Sequence, residues 1–355
     1  MVIVIVMVAS CILLVGISYF MLDILSGMIV VPKTKVKEIA GEGELVVPVE
    51  EAEVLCMQAS ADGRFLAFIG GTEGSEGAVL RVVGLDGDAG AVFEREISGR
   101  RLAWLGDTSR VAFEDADDIH LLDMDGTETR NLTESPEKDS DPIPSPDGRY
   151  ILWTVSPAAA SGDAPAFWLM GAEGEDKTFL AEAQDLAAWD TSGLGIISRR
   201  GTAVIGEEES YRHLLQTAVP GRRGWEHYAD CEGEVYFIWW LREDTVLYVG
   251  PTFVKGQDRV KGTWSRVEPP DKIKRVASTD GLGYEISYYD FYPSRTDERL
   301  AYVGERGLEY LDHGERVIYR YTGLEARTPL AWNEAANEIL FVGRGGIRRM
   351  GAGGD

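Results

Sequence analysis

Residues 144–153 read PSPDGRYILW. Asp-Gly favours a tight hairpin, and the unbroken apolar run behind it suits a strand buried on both faces. The same pattern returns along the chain. Aligned on the position before the turn, its copies fall at Ala59 (ASADGRFLAF), Trp104 (WLGDTSRVAF), Pro144, Trp189 (WDTSGLGII), Trp240 (WLREDTVLYV), Tyr292 (YPSRTDERLAYV) and Trp332 (WNEAANEILFV). The intervals are 45, 40, 45, 51, 52 and 40 residues. Between these points no long stretch has helical periodicity; short β-branched and aromatic runs are broken by Gly, Asp and Pro.

Each unit therefore reads as an apolar strand, a polar turn, a second apolar strand and two more strands joined by a Gly/Asp turn. A lone four-stranded unit cannot bury both its faces, so the copies predict sheets arranged radially. The expectation is an all-β chain, a seven-bladed β-propeller, with six or eight blades as the neighbouring counts. The last copy ends at Met350 after three strands, and the orphan strand Leu45–Val49 is expected to supply its fourth. Pairing the two ends removes edges that invite aggregation. The expected organisation is an apolar anchor at 1–32, a charged linker at 33–44 and a propeller at 45–355, with its blades from about 52 to 350.

Residues 2–22, VIVIVMVASCILLVGISYFML, carry no charge. A helix of that length crosses the roughly 30 Å hydrocarbon layer of a bilayer. A cleaved signal peptide is disfavoured by the missing basic n-region and the lack of a small-residue cleavage site. Val8-Ala9-Ser10-Cys11 resembles a lipobox, but apolar residues continue past Cys11. The expectation is thus one retained membrane helix. Lys33, Lys35 and Lys37 follow it, which by the positive-inside rule points the large domain to the cytoplasm.

SPDGRYILW (145–153), SADGRFLAF (60–68) and IHLLDMDGTETRNLT (119–133) together resemble the repeat of TolB-like, WD-repeat-related β-propellers. The resemblance covers most of residues 52–350 and is strongest in the first three copies. It implies a rigid, usually extracytoplasmic platform that binds a protein or peptide. Three lysines offset by Glu38, Glu42 and Glu44 oppose that only weakly, so the expected location is extracytoplasmic, tethered to the membrane.

The charge balance, 35 Lys+Arg against 59 Asp+Glu for a net −24, excludes nucleic acid as the default partner. Asp123-Met124-Asp125-Gly126-Thr127 matches the nucleophile motif of haloacid-dehalogenase phosphatases and the start of a calcium loop. In this repeat it reads as a hairpin turn. Asp115, Asp117 and Asp118, with Asp139 and Asp141, form acidic clusters that read as a solvated face. The histidines (120, 213, 227 and 313) lack metal-ligand spacing, no G-x-S-x-G elbow occurs, and Asn131-Leu132-Thr133 reads as a strand end before it reads as a glycosylation sequon. Cys56 and Cys231 are expected too far apart to bridge. No metal, cofactor or catalytic residue is expected.

The expected binding surface is the rim carrying the longer loops. Segments 220–234 and 250–262 offer Arg222, Arg223, Trp225, His227, Tyr228, Lys255, Arg259 and Lys261, a basic and aromatic concentration on an acidic chain. Arg and Trp dominate protein interfaces, which makes this the candidate partner site, against the plainer reading of loops whose cations offset Glu226 and Asp258. The function expected from sequence is therefore a non-catalytic binding platform, with a propeller-type enzyme using channel carboxylates, or a structural envelope component, as the alternatives.

Overall fold

Before the first repeat the chain already forms two strands. In the computed structural model β1 spans Lys35–Ala40 and β2 spans Glu44–Pro48. The structure describes residues 35–49, 54–72, 77–85, 91–106, 109–125, 127–157, 164–182, 187–189, 196–204, 211–222, 226–232, 237–242, 245–253, 260–268, 272–278, 291–295, 299–304, 307–312 and 317–353; in the fourth and fifth sheets this is mostly backbone. Met1–Lys33 forms a unit separate from Thr34–Asp355, and the expected anchor lies outside the described residues. Among the described residues no helix is long and apolar enough to cross a membrane.

The remaining described strands fall into seven sheets. The first holds β3 (Val54–Ala59), β4 (Phe65–Gly71), β5 (Ala78–Gly84) and β6 (Ala91–Ile97). The second holds β7 (Leu102–Trp104), β8 (Arg110–Asp115), β9 (Asp118–Asp123) and β10 (Glu128–Asn131). The third holds β11 (Lys138–Pro144), β12 (Tyr150–Ser156), β13 (Ala166–Gly171) and β14 (Thr178–Glu182). The fourth runs β15 (Ala187–Trp189), β16 (Ile196–Val204), β17 (Tyr211–Ala218) and β18 (Glu226–Glu232). The fifth runs β19 (Phe237–Arg242), β20 (Thr245–Phe253), β21 (Val260–Glu268) and β22 (Lys272–Ser278). The sixth contains β23 (Phe291–Pro293), β24 (Arg299–Gly304), β25 (Gly307–Asp312) and β26 (Val317–Thr322). The seventh contains β27 (Arg327–Asn333), β28 (Glu338–Gly343) and β29 (Gly346–Gly351).

Within each sheet these strands follow one another antiparallel, as hairpin connections require. The two leading strands complete the last sheets. β2 pairs antiparallel with β29 and is the fourth strand of the seventh sheet. β1 pairs parallel with β26 and makes the sixth sheet five-stranded. The segment expected as a linker at 33–44 therefore contains a strand. Its outward positions are exposed, so burial leaves no pattern in it; Lys37 sits over the Tyr319 ring and donates to its hydroxyl at 3.1 Å.

The repeat signature builds the inter-sheet joints. In the first copy Ser60 Oγ donates to Asp62 Oδ1 at 2.6 Å and accepts from the Phe65 N–H at 3.0 Å; Ser145, Asp147 and Tyr150 repeat this at 2.7 and 3.0 Å. The aromatic after the turn then stacks on the next sheet's tryptophan, Phe65 on Trp104 and Tyr150 on Trp189. Gly106, at φ +50°, packs so tightly on the next turn that an added Cβ would sit 2.7 Å from Pro146 O and Gly148 N.

Apolar side chains fill each gap between sheets. Ile69, Leu80 and Val82 meet Trp104, Val111 and Phe113 between the first and second, and Leu66 and Phe68 meet Ala331, Leu340 and Ile347 between the seventh and first. The second strand of a sheet is buried on both faces, as in β4 and β8, which explains its unbroken apolar run.

Candidate functional site

In these meanders the turn joining first to second strand and the turn joining third to fourth share one end. The second-to-third turn and the connection to the next sheet share the other. At that second end of sheets two and three lie the β8–β9 turn, the β10–β11 connection and the bulged start of β11. Ala116 and Asp117 take φ of 52° and 65°, Glu134 47° and Asp141 53°, all in the left-handed region that non-glycine residues rarely enter.

Asp118 and Asp139 meet there through two hydroxyl residues. Asp118 Oδ1 accepts from Thr133 Oγ1 at 2.9 Å and from the Ser135 N–H at 3.1 Å, while Oδ2 accepts from Asn131 Nδ2 at 2.6 Å. Asp139, 2% exposed, accepts from Ser135 Oγ at 2.8 Å and from the Trp153 indole N–H at 2.9 Å. Around them, Glu114 accepts from the backbone N–H groups of Arg100 and Asp141, and Arg101 pairs with Asp141 at 3.3 Å.

The two carboxyls are driven apart in protonation. Burial pushes Asp139 up; the bonds from Ser135, Trp153 and Thr133 resist, and the Asp118 charge adds to the rise. Burial also works against the Asp118 charge, but the bonds from Asn131, Ser135 and Thr133 outweigh it and hold that carboxyl below its usual value. A half-buried carboxylate beside a buried acid of opposite tendency can accept a proton in a reaction, with its partner holding the surrounding hydroxyls in place.

The other sequence candidates resolve differently. Asp123–Thr127 is the β9–β10 turn: Asp123 ends β9 and accepts from the Asp125 N–H at 3.0 Å. The Asn131 side-chain Oδ1 accepts from the Thr133 and Glu134 N–H groups, and Leu132 and Thr133 are buried, so this triplet is built into the turn. Among the described residues no group of His, Cys, Asp and Glu could hold a metal ion.

The expected basic and aromatic rim is corrected in part by topology. Segment 220–234, expected on the rim with the longer loops, holds the β17–β18 turn and β18 itself. Arg222 is exposed in that turn, at the S-x-D-G end of the sheets. His227 and Tyr228 lie in β18, where His227 is opposite Gln216. Lys261 lies in β21 opposite Thr252, next to the β20–β21 connection, at the other end. The fold thus does not gather Arg222 and Lys261 on one rim. Arg223, Trp225, Lys255 and Arg259 lie outside the described residues. Cys231 lies in β18 opposite His213.

Thr133 and Ser135, which join the two aspartates, and Trp153, which holds Asp139, escape a reading of sequence. Their one signal is the pair of hydroxyl residues where the second repeat passes to the third.

No protein-family model matches the chain, and no curated protein matches it. Solved structures do. An oligogalacturonate lyase in complex with manganese matches at a TM-score of 0.59 and 10% identity, over 84% of this chain and 88% of its own. An acylaminoacyl peptidase from Pyrococcus horikoshii matches at 0.60 and 12%, over 84% of this chain and 51% of its own, so this chain spans about half of that enzyme. The β-propeller domain of the Trilobed protease from Pyrococcus furiosus matches at 0.56 and 10%, over 83% and 91%.

At these identities the likeness shows the fold alone, and the fold is a β-propeller. The expectation of a non-catalytic binding platform is overturned by the same structures. A lyase and a peptidase stand among those most like this chain, and the reading "not an enzyme" is withdrawn.

Proposed function

We propose that this chain is a propeller-type enzyme whose seven sheets close into one seven-bladed ring and whose proton chemistry sits at the rim of the second and third. The observation that carries the reading is the Asp118–Asp139 pair, joined through Ser135 and Thr133 and pushed in opposite directions. Asp118 is the general base, because its carboxylate stays charged and half-exposed. Asp139 is a positioning residue that fixes Ser135. A polyanionic substrate such as the lyase's is opposed by the net charge of −24 and by Glu114, Asp115 and Asp117 around the site. The reading is therefore proton abstraction or hydrolysis on a neutral or cationic substrate.

The test is an activity screen of the full chain on chromogenic peptides, esters and neutral or amino glycosides, repeated with Asp118→Asn. Asp176→Asn, at an exposed turn on the opposite end, serves as the control. Loss of a general base costs about 10²–10⁴-fold in kcat/KM. A hit that falls by that factor in Asp118→Asn and not in the control supports the assignment. A hit indifferent to Asp118, or no turnover across the panel, removes it.

We also carry as a proposal, on sequence grounds, that residues 2–22 anchor the protein in a membrane with the propeller outside the cytoplasm. Protease added to intact cells should then digest the propeller; protection until lysis would reverse the topology.

A further inference from the structure

At the loop end of the first and second sheets a charged side chain crosses between them. Arg95, on β6, donates through Nη2 to Asp115 Oδ2 and through Nη1 to Thr129 Oγ1, each at 2.7 Å. Asp115 Oδ1 accepts from the Ser98 N–H at 3.1 Å, and Ser98 Oγ accepts from the Ala116 N–H at 2.7 Å. The strand leaving sheet one is thus locked to the β8–β9 turn of sheet two. Beneath the lock Arg95 lies over the Phe113 ring, and Phe113 stacks on His120 with ring centres 5.5 Å apart. His120 Nε2 is buried and has no hydrogen-bond partner among the described residues.

We propose that His120 is a proton-operated release for this tie. A neutral ring leaves Nε2 a bare acceptor, a modest cost in an aromatic stack. A proton there makes it a charged donor with nothing to receive it. The groups facing it are Asp115 from β8, Asp118 from its own strand and Arg95 from β6. Asp118 already accepts three hydrogen bonds, from Asn131, Thr133 and Ser135, which leaves it a single open lone-pair site. The remaining carboxylate is Asp115, which Arg95 already holds. A cationic His120 therefore competes with Arg95 for Asp115 and repels it as a like charge. Arg110 and Arg130, cations of sheet two, are both paired with Glu173.

The direction follows from the environment. Burial holds the His120 ring below its ordinary value; Asp115 and Asp118 oppose that, and Arg95 reinforces it. Opening the tie restores ordinary basicity, so the open form takes up the proton more readily. The closed form is favoured above the ordinary histidine range, about pH 6.5, and loses ground as pH falls below it. The inference stands independently of the role assigned to Asp118.

Amide hydrogen exchange of the full chain reads the lock directly at Ser98 and Ala116. After correction for intrinsic rates, exchange at these amides should rise by about tenfold or more between about pH 7.5 and about pH 5. His120→Phe, which keeps the stack, should stay protected at both pH values. His120→Gln, which cannot titrate, should do the same should the phenylalanine variant fail to fold. Arg95→Met should be unprotected at both. Equal protection of the natural chain at both pH values, or a pH response that survives in the folded His120 variant, overturns the proposal.

Discussion

The indole N–H of Trp104 donates to the Gln58 carbonyl at 2.8 Å, while the Gln58 side chain accepts from the Trp104 backbone N–H at 2.7 Å, so one residue of sheet one holds both ends of its neighbour on sheet two. The indole half recurs around the molecule. Trp189 donates to Ile143 O at 2.8 Å and Trp332 to Tyr292 O at 2.7 Å. Trp104→Phe keeps most of the packing and removes the hydrogen bond to a partly buried carbonyl, so it should cost about 1 kcal/mol. Trp104→Ala should cost about 3–5 kcal/mol, since the side chain is 1% exposed. Denaturant unfolding of the two variants against the natural chain checks the order.

Gly106→Ala should be destabilising although it adds only a methyl group. The residue has φ +50°, and the new carbon would meet backbone atoms of the next sheet's turn, which cannot swing aside as a side chain can. The expected loss is above about 1 kcal/mol, with the midpoint of thermal unfolding lowered by several degrees.

Glu309 is fully buried, pairs with Arg320 and accepts from the Tyr302 hydroxyl at 2.9 Å. Glu309→Ala removes one charge of a buried pair and should cost about 3–5 kcal/mol, whereas Glu309→Leu with Arg320→Met should recover most of that. A double variant as unstable as the single one would show that the pair's bonds matter more than its charge.

Acid should loosen the S-x-D-G joints. Burial acts to raise Asp62 and Asp147, but the bonds from Ser60 and Arg64, and from Ser145 and Arg149, hold both carboxyls below their usual values. A folded-state value below the unfolded one gives stability that is present above about pH 4 and is lost as pH falls through the folded value. Asp62→Asn with Asp147→Asn should therefore be less stable than the natural chain at neutral pH and converge on it in acid, as followed by unfolding at a series of pH values.

The two ends of the chain give a graded truncation series. A chain starting at Thr34 keeps every described strand and should be monomeric. Starting at Gly41 removes β1 and bares the β26 edge. Starting at Glu50 removes β2 as well, exposing the β29 edge and the core around Val47, which should produce aggregates. Size-exclusion chromatography checks this, and identical profiles for all three would show that neither strand matters for closure.

The parts of this fold legible in sequence are those where chemistry and geometry coincide. Asp-Gly needs its turn, and a strand buried twice needs an unbroken apolar run. The sixth copy shows the limit. Its aligned position is Pro293 and not Tyr292, because Ser294 occupies the place of Ser60 and Ser145, its backbone N–H donating across the turn to the Arg299 carbonyl; a one-residue slip is invisible where the Asp-Gly pair is lost. β1 was unreadable because an exposed edge strand leaves charged residues free to vary. Arg222 was assigned to the wrong end of its sheet because a third-to-fourth turn and a connection between sheets look alike without that pair. The aspartates of the candidate site were visible as acid, but nothing local in the sequence shows that Ser135 and Trp153 draw Asp139 under Asp118.

The parallel ladder between β1 and β26 runs from Lys35 opposite Val317 to Ala40 opposite Thr322. Tension directed along β1 loads the bonds of that ladder together in shear and does not peel them one after another. A pull is therefore borne first by the sixth sheet, and β2 feels it only after β1 has given way. β1 works as a mechanical fuse: a force large enough to strip it leaves β29 still paired with β2, and the propeller can survive the loss of its outermost strand.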